Sequence, residues 1–191
     1  MGGRHSGNAR ERIIIAAEKL VIEHGARHLT LESVAERAKI SRGGLLYHFP
    51  SKEALLIGML ESQRNLIVES REKKLTVLPA GPGREAAAYV QTFLDEDRGK
   101  NIMLTAAIIA SAAHNPELLS STREGYAQTL SEITRKGLRF ERAAVITLAT
   151  QGLRLMEALN VSPFSPENRK KIVNELMALA KIKEAKSPKQ G

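Results

Sequence analysis

Residues 30–55 read TLESVAERAKISRGGLLYHFPSKEAL, and this stretch contains the clearest succession of helix starts and stops in the chain. A hydroxyl-bearing residue, which commonly caps the N-terminus of a helix, precedes each run of helical spacing: Thr30, Ser41 and Ser51. The runs that follow them predict three helices, over about 31–38, 42–48 and 52–75. Two short helices joined by a tight turn indicate a helix-turn-helix.

The second short helix, over 42–48, has a composition that suits a nucleic-acid surface. It contains Gly43 and Gly44, each of which costs about 1 kcal/mol in a helix relative to alanine. Close approach of the backbone to another surface would account for that cost. In a helix-turn-helix this helix enters the major groove, where cationic and aromatic side chains contact phosphates and base edges. Ser41 and Lys52 stand at helix N-termini, whose backbone N–H groups favour phosphate.

The stretch resembles the TetR (tetracycline-repressor-like) family of bacterial transcription regulators. The residues that carry the resemblance are TLxxVAxxAxISRGxLxYHFPSKExL over 30–55, inside a matched region of about residues 9–60. The resemblance and the helix reading together predict a DNA-contacting set: Thr30, Ser41, Arg42, Gly43, Gly44, Leu46, Tyr47, His48 and Lys52.

The resemblance also implies a role for most members of this set. Thr30 would cap its helix and bind a phosphate, and Lys52 would bind another. Arg42 and the two glycines after it would face the groove. Tyr47 and His48 would contact the DNA backbone or the bases.

Two positions near the end of the second short helix differ in what they imply. Phe49 is expected in the core, where it would hold the recognition helix against the first helix. Leu46 stands where the family commonly has a tyrosine, so one phosphate contact through a phenolic hydroxyl is lost. A leucine there could instead touch a thymine methyl group.

The rest of the chain is predicted to be helical as well, because no stretch shows sustained alternation of period two. The further predicted helices cover about 9–24, 84–97, 101–114, 116–136, 140–160 and 166–183. The fold class is therefore all-α with about nine helices. We expect a DNA-binding domain over 1–55 with a mobile arm at 1–8, a helical effector-binding and dimerisation domain over 56–185, and a flexible tail at 186–191.

Composition narrows the classes of function. The 191 residues include no cysteine, which excludes thiol catalysis and thiolate metal sites. No apolar run approaches the roughly 20 residues of a membrane helix. The formal charge of +8 favours a polyanionic partner without locating its site. We expect a cytoplasmic, nucleoid-associated protein that is not an enzyme and has no cofactor, metal site or membrane partner.

The last two long helices carry broad apolar stripes. The residues concerned are Val145, Leu148, Gly152, Leu155 and Leu159 on one helix, and Ile172, Val173, Leu176 and Met177 on the other. Such stripes fit either simple core packing or a four-helix interface between two subunits. The resemblance implies the homodimer, because a palindromic operator requires two-fold symmetry.

A small-molecule effector site is also implied by the resemblance. Its candidate lining residues are Tyr89, Phe93, Met103, Ile108, Ser111, Tyr126, Gln151, Arg154 and Met156. With aromatic residues at only 4%, a small or aliphatic effector is favoured. The predicted function is a repressor that binds double-stranded DNA and is released by this effector. The alternative is a helical small-molecule or lipid-binding protein with a vestigial helix-turn-helix.

Overall fold

The computed structural model describes residues 9–25, 28–94 and 119–181, apart from the side chain of Ser121. These residues form eight α-helices and no strand, which confirms the predicted all-α class. The helices are α1 (Ala9–His24), α2 (Leu31–Ala38), α3 (Arg42–His48), α4 (Lys52–Val77), α5 (Arg84–Leu94), α6 (Ser120–Arg135), α7 (Phe140–Ala158) and α8 (Pro166–Lys181).

Several predictions fall on residues that the structure does not describe. They are the arm at 1–8, the helix over 101–114 with Met103, Ile108 and Ser111, the first residues of the helix over 116–136, and the tail at 186–191. Within the described helices, none combines the length and apolar character that crossing a bilayer requires.

The described residues group into two compact units. The first takes residues up to 65 together with 119–122, and the second takes 66–94 together with 123–181. Helix α4 contributes residues to both units.

The first unit is held by a core to which α1, α2, α3 and α4 all contribute. Its most deeply buried side chains are Ile13, Ala17, Val34, Leu45, Leu55 and Met59. Thr30 caps α2 as predicted, since its Oγ1 accepts a hydrogen bond from the Ser33 amide at 3.1 Å. In addition, Ser33 Oγ accepts one from the Thr30 amide at 3.3 Å. This reciprocal capping fixes where α2 begins. Lys39, with φ of 55°, ends the helix in the left-handed conformation.

The turn between α3 and α4 places Phe49 in the core, as expected. Phe49 is 3% exposed, and the Arg10 guanidinium lies 5.2 Å from its ring centroid. A Cβ at Gly58 of α4 would lie 2.6 Å from Phe49 Cε1, so the ring occupies the space that a larger residue at 58 would need. Phe49 therefore connects α3 to both α1 and α4.

The second unit is arranged around α5. Residues 86–90 of this helix are buried on every side, and the helix packs against α7 and α8. Ile133, Leu138, Ile146 and Leu153 complete the core from α6, the following turn and α7. Helix α5 is therefore central to the second unit, and it carries two of the predicted ligand-binding residues, Tyr89 and Phe93.

Candidate nucleic-acid interface and ligand site

Helix α3 has one buried side and one open side. Leu45 is fully buried and fixes the helix to the core of the first unit. Arg42, Gly43, Gly44, Leu46 and Tyr47 are exposed, and Tyr47 is 85% exposed. The structure thus brings these predicted DNA-contacting residues onto one short helix with a free surface.

The two glycines of α3 differ in their surroundings. A Cβ at Gly44 would lie 3.2 Å from Ser41 Oγ, which is tight because that oxygen accepts the hydrogen bond from the Gly44 amide. A Cβ at Gly43 would meet nothing within 4 Å. Packing within the described residues therefore gives no reason for glycine at 43, despite its cost in a helix.

The remaining members of the set lie at the ends of helices α2, α3 and α4. Thr30 and Ser41 accept hydrogen bonds from the backbone amides of Ser33 and Gly44, so both act as N-caps. Ser51, which is outside the set, caps α4 in the same way through the Ala54 amide. Lys52 is the first residue of α4. The half-buried His48 contacts Tyr47 edge to face, with ring centroids 5.2 Å apart.

One contact on this surface was not anticipated from the sequence. Arg42 Nη2 lies 3.2 Å from Glu32 Oε1, and the two side chains are 69% and 61% exposed. Glu32 is the second residue of α2, so the ion pair joins the two helices of the helix-turn-helix. A first-turn glutamate is common in helices, and its position in the sequence alone does not reveal this partner.

In the second unit, a hydrogen-bonded network centres on Gln151 of α7. Gln151 Nε2 donates to Tyr89 Oη at 2.6 Å, while its Oε1 accepts from Tyr126 Oη at 3.2 Å and from Arg154 Nη1 at 3.1 Å. The network therefore links α5, α6 and α7. Burial raises the pKa of Tyr89 well above its ordinary value, against the opposing hydrogen bond from Gln151. Tyr89 consequently stays a neutral hydroxyl.

Phe93 adds an aromatic face to this network. Its ring centroid lies 4.4 Å from the Arg154 guanidinium and 4.7 Å from the Tyr89 ring centroid. A guanidinium over an aromatic face is attracted by the ring quadrupole. The structure thus brings together five of the predicted effector residues: Tyr89, Phe93, Tyr126, Gln151 and Arg154.

Met156 does not join them. It lies five residues beyond Gln151, which is about 140° around the helix. It is exposed together with Val145, Leu148, Leu155 and Leu159, and Leu148 is 73% exposed. Gly152 lies within this apolar stripe of α7 and is half-buried.

The predicted interface residues of α8 are less exposed than those of α7. Ile172, Val173 and Met177 are half-buried and pack against the core of the second unit. Leu176 is 3% exposed and belongs to that core.

A second polar cluster lies where α4, α5 and α6 meet. The Arg71 guanidinium contacts Glu132, and its Nη2 lies 3.5 Å from Glu85 Oε2. All three side chains are largely buried, at 15–26% exposure. Burial raises the pKa of Glu132, but the hydrogen bond and charge of Arg71 outweigh it and leave the pKa below its ordinary value.

Two family models match the chain. The model of bacterial regulatory proteins of the tetR family matches residues 13–59, and the tetracyclin repressor-like C-terminal domain matches residues 83–181. The second match alone covers more than half of the chain. The chain therefore belongs to the TetR family of bacterial regulatory proteins, a class of transcriptional regulators.

Individual proteins are similar to the chain in sequence or in fold. The HTH-type transcriptional regulator BetI of Burkholderia thailandensis is 27% identical over 179 residues, which cover 89% of this chain and 92% of BetI. A transcriptional regulator from Rhodococcus sp. Rha1 has a TM-score of 0.74 at 21% identity, covering 91% of this chain and 96% of that one. The multidrug binding protein EbrR, solved with ethidium, has a TM-score of 0.63 at 24% identity, covering 90% of this chain and 99% of that one.

Proposed function

We propose that the protein is a ligand-responsive repressor that binds a palindromic operator as a homodimer and leaves it when a small-molecule effector binds. The observation that carries this proposal is the open face of α3, where Arg42, Gly43 and Tyr47 are exposed on a helix fixed by Leu45. A vestigial helix-turn-helix on a small-molecule or lipid carrier would have no need of this face. The proposal includes a cytoplasmic, nucleoid-associated location and no catalytic role.

On DNA, phosphate contacts would supply affinity and base contacts would supply specificity. Thr30, Ser41 and Lys52 lie at helix starts and would contact phosphates, while the glycines let the backbone of α3 come close to the groove. Arg42 would bind a guanine edge, and Leu46 would touch a thymine methyl group. Tyr47 and His48 would contact the backbone or bases beside them.

The homodimer would form through the apolar stripe of α7, assisted by the half-buried Ile172, Val173 and Met177 of α8, with Leu176 supporting them from the core. Exposed apolar patches on a folded chain are typical of protein–protein interfaces. An isologous dimer places two identical recognition helices about a two-fold axis, which suits the two half-sites of a palindrome.

The effector would bind at the network around Gln151, where polar groups of three helices meet the aromatic face of Phe93. Binding there would alter the packing of α5 and α6, and Arg71 connects both helices to α4. Movement of α4 would change the spacing of the two recognition helices. A 100-fold loss of DNA affinity requires about 2.7 kcal/mol of coupling, within the ordinary range for allostery. EbrR, which shares this fold, was solved with ethidium bound, so the fold can accept a small molecule.

The first experiment is selection of bound sequences from a random duplex pool with the purified full chain, followed by salt titration of the enriched duplex. We expect a palindrome, bound with an affinity that falls steeply with salt because counterions are released. Arg42→Ala should cost about 1–3 kcal/mol and relax the base preference at one position in each half-site.

Lys52→Gln is the matched comparison, because it removes a charge from the same surface without removing a base contact. It should weaken all duplexes alike and reduce the salt slope by about one. Absence of any enriched palindrome, with and without cell-extract metabolites as a source of co-repressor, would contradict the proposal.

A further inference from the structure

The ion pair between Glu32 and Arg42 places a carboxylate on the surface that would face DNA. The two residues come from different helices and meet at 3.2 Å between Oε1 and Nη2. Both side chains are about two-thirds exposed, and an exposed ion pair of this kind contributes little to stability. Its presence on α2 and α3 is therefore not explained by the needs of the fold.

A carboxylate at this position has opposite effects on the two kinds of contact that Arg42 can make. Arginine has five N–H donors, so a guanidinium held by Glu32 at Nη2 keeps donors for a second acceptor. The O6 and N7 atoms of guanine are neutral acceptors, and a guanidinium can satisfy them and a carboxylate together. A phosphate is an anion, so its approach to Arg42 also brings it towards the negative charge of Glu32.

We propose that Glu32 is a specificity-determining residue, which positions Arg42 for a neutral base edge and disfavours its contact with phosphate. The inference rests on the proposed function, in that Arg42 reads a base. Glu32 then lowers binding to DNA in general more than binding to the operator. The quantity it controls is the ratio of the two affinities, which decides occupancy among many competing sites.

The test uses the full chain, the duplex enriched by selection with the wild-type protein, and a random-sequence duplex of equal length. For Glu32→Gln we expect tighter binding to the random duplex and equal or weaker binding to the enriched one. The affinity ratio should fall about fivefold, which corresponds to about 1 kcal/mol. Selection repeated with this variant should show relaxed preference at the same position that Arg42→Ala relaxes.

Glu36→Gln is the matched control, because Glu36 lies one turn further along α2, is exposed and carries the same charge. It should shift both affinities together and leave their ratio nearly unchanged. The second control is Glu32→Gln in the Arg42→Ala background, where the ratio should not change further. A general electrostatic effect of the carboxylate would persist in that background.

These measurements distinguish failure of the role proposed for Glu32 from failure of the proposed function. Suppose that Arg42→Ala abolishes base preference at one operator position but Glu32→Gln leaves the ratio of the two affinities unchanged. The role proposed for Glu32 is then wrong, while the proposed function of the protein is unaffected. Equal effects of Glu32→Gln and Glu36→Gln on the affinity ratio would also overturn the role proposed for Glu32. If Arg42→Ala retains full discrimination, both the base-reading role of Arg42 and the inference fail.

Discussion

Gly83 lies immediately before α5 with φ of +83°, and its α-carbon closely approaches the end of α8. A Cβ at this position would lie 1.5 Å from the carbonyl oxygen of Ala180. Gly83→Ala therefore combines left-handed backbone strain with a clash against backbone that cannot simply rotate away. We expect the free energy of unfolding of the second unit to fall by about 3 kcal/mol, measured by denaturant titration.

Gly137→Ala separates the two causes, because Gly137 also has a positive φ, +99°, but a Cβ there would meet nothing within 4 Å. Backbone strain alone should cost about 1–2 kcal/mol. If both variants lost the same stability, the close approach of Gly83 to Ala180 would be irrelevant to the fold.

At the scale of elements, the Arg71 cluster ties the second half of α4 to α5 and α6. Arg71→Met would leave Glu85 and Glu132 close together in a largely buried place without their cation. We expect a loss of about 2 kcal/mol at neutral pH, because breaking a buried pair is costly and partial exposure reduces that cost. Thermal unfolding followed by circular dichroism measures it.

The stability loss caused by Arg71→Met should change with pH in one direction. In the wild type, folding lowers the pKa of Glu132. Glu132 therefore stabilises the folded state at neutral pH, and this stabilisation is lost as the pH falls through the pKa of the folded state. Without Arg71, burial and mutual repulsion favour protonated carboxyls, so the stability deficit should shrink as the pH falls. Lys73→Met is the control, since its pair with Glu69 is solvent-exposed and should contribute little to stability. A stability loss in Arg71→Met that did not change with pH would contradict the role of Arg71 as the cation for these two carboxylates.

The elements also show which features follow from sequence. The bounds of α2 and α3 match their prediction, because the caps at Thr30 and Ser41 that mark their starts are local signals. The pairing of Glu32 with Arg42 and the Arg71 cluster depend on side chains from different helices, and no spacing rule encodes them. Met156 lies about 140° around α7 from Gln151, so the helical period already separates it from the polar network.

The whole molecule would act on DNA through two copies of the chain. In one chain, Val145, Leu148 and Leu155 are exposed along α7, and Leu159 is exposed at its C-cap. The hydrophobic effect opposes leaving such a stripe in water. If this stripe forms the two-fold interface, then one copy alone can contact only one half of a palindrome. Joining two half-sites through a dimer raises affinity by about 10²–10⁴, because the second contact becomes intramolecular.

Leu148→Glu tests this argument, because Leu148 is 73% exposed and its substitution should not disturb the core. Two like charges would face each other across the axis, and we expect a folded monomer by sedimentation equilibrium. Affinity for the enriched palindrome should fall about 100-fold, while affinity for a single half-site should stay the same. Val77→Glu introduces the same charge at a residue 79% exposed on α4 and should leave both the dimer and its operator affinity intact. A Leu148→Glu protein that remained dimeric would place the two-fold interface elsewhere, and the pairing of half-sites would then have to arise from a different surface.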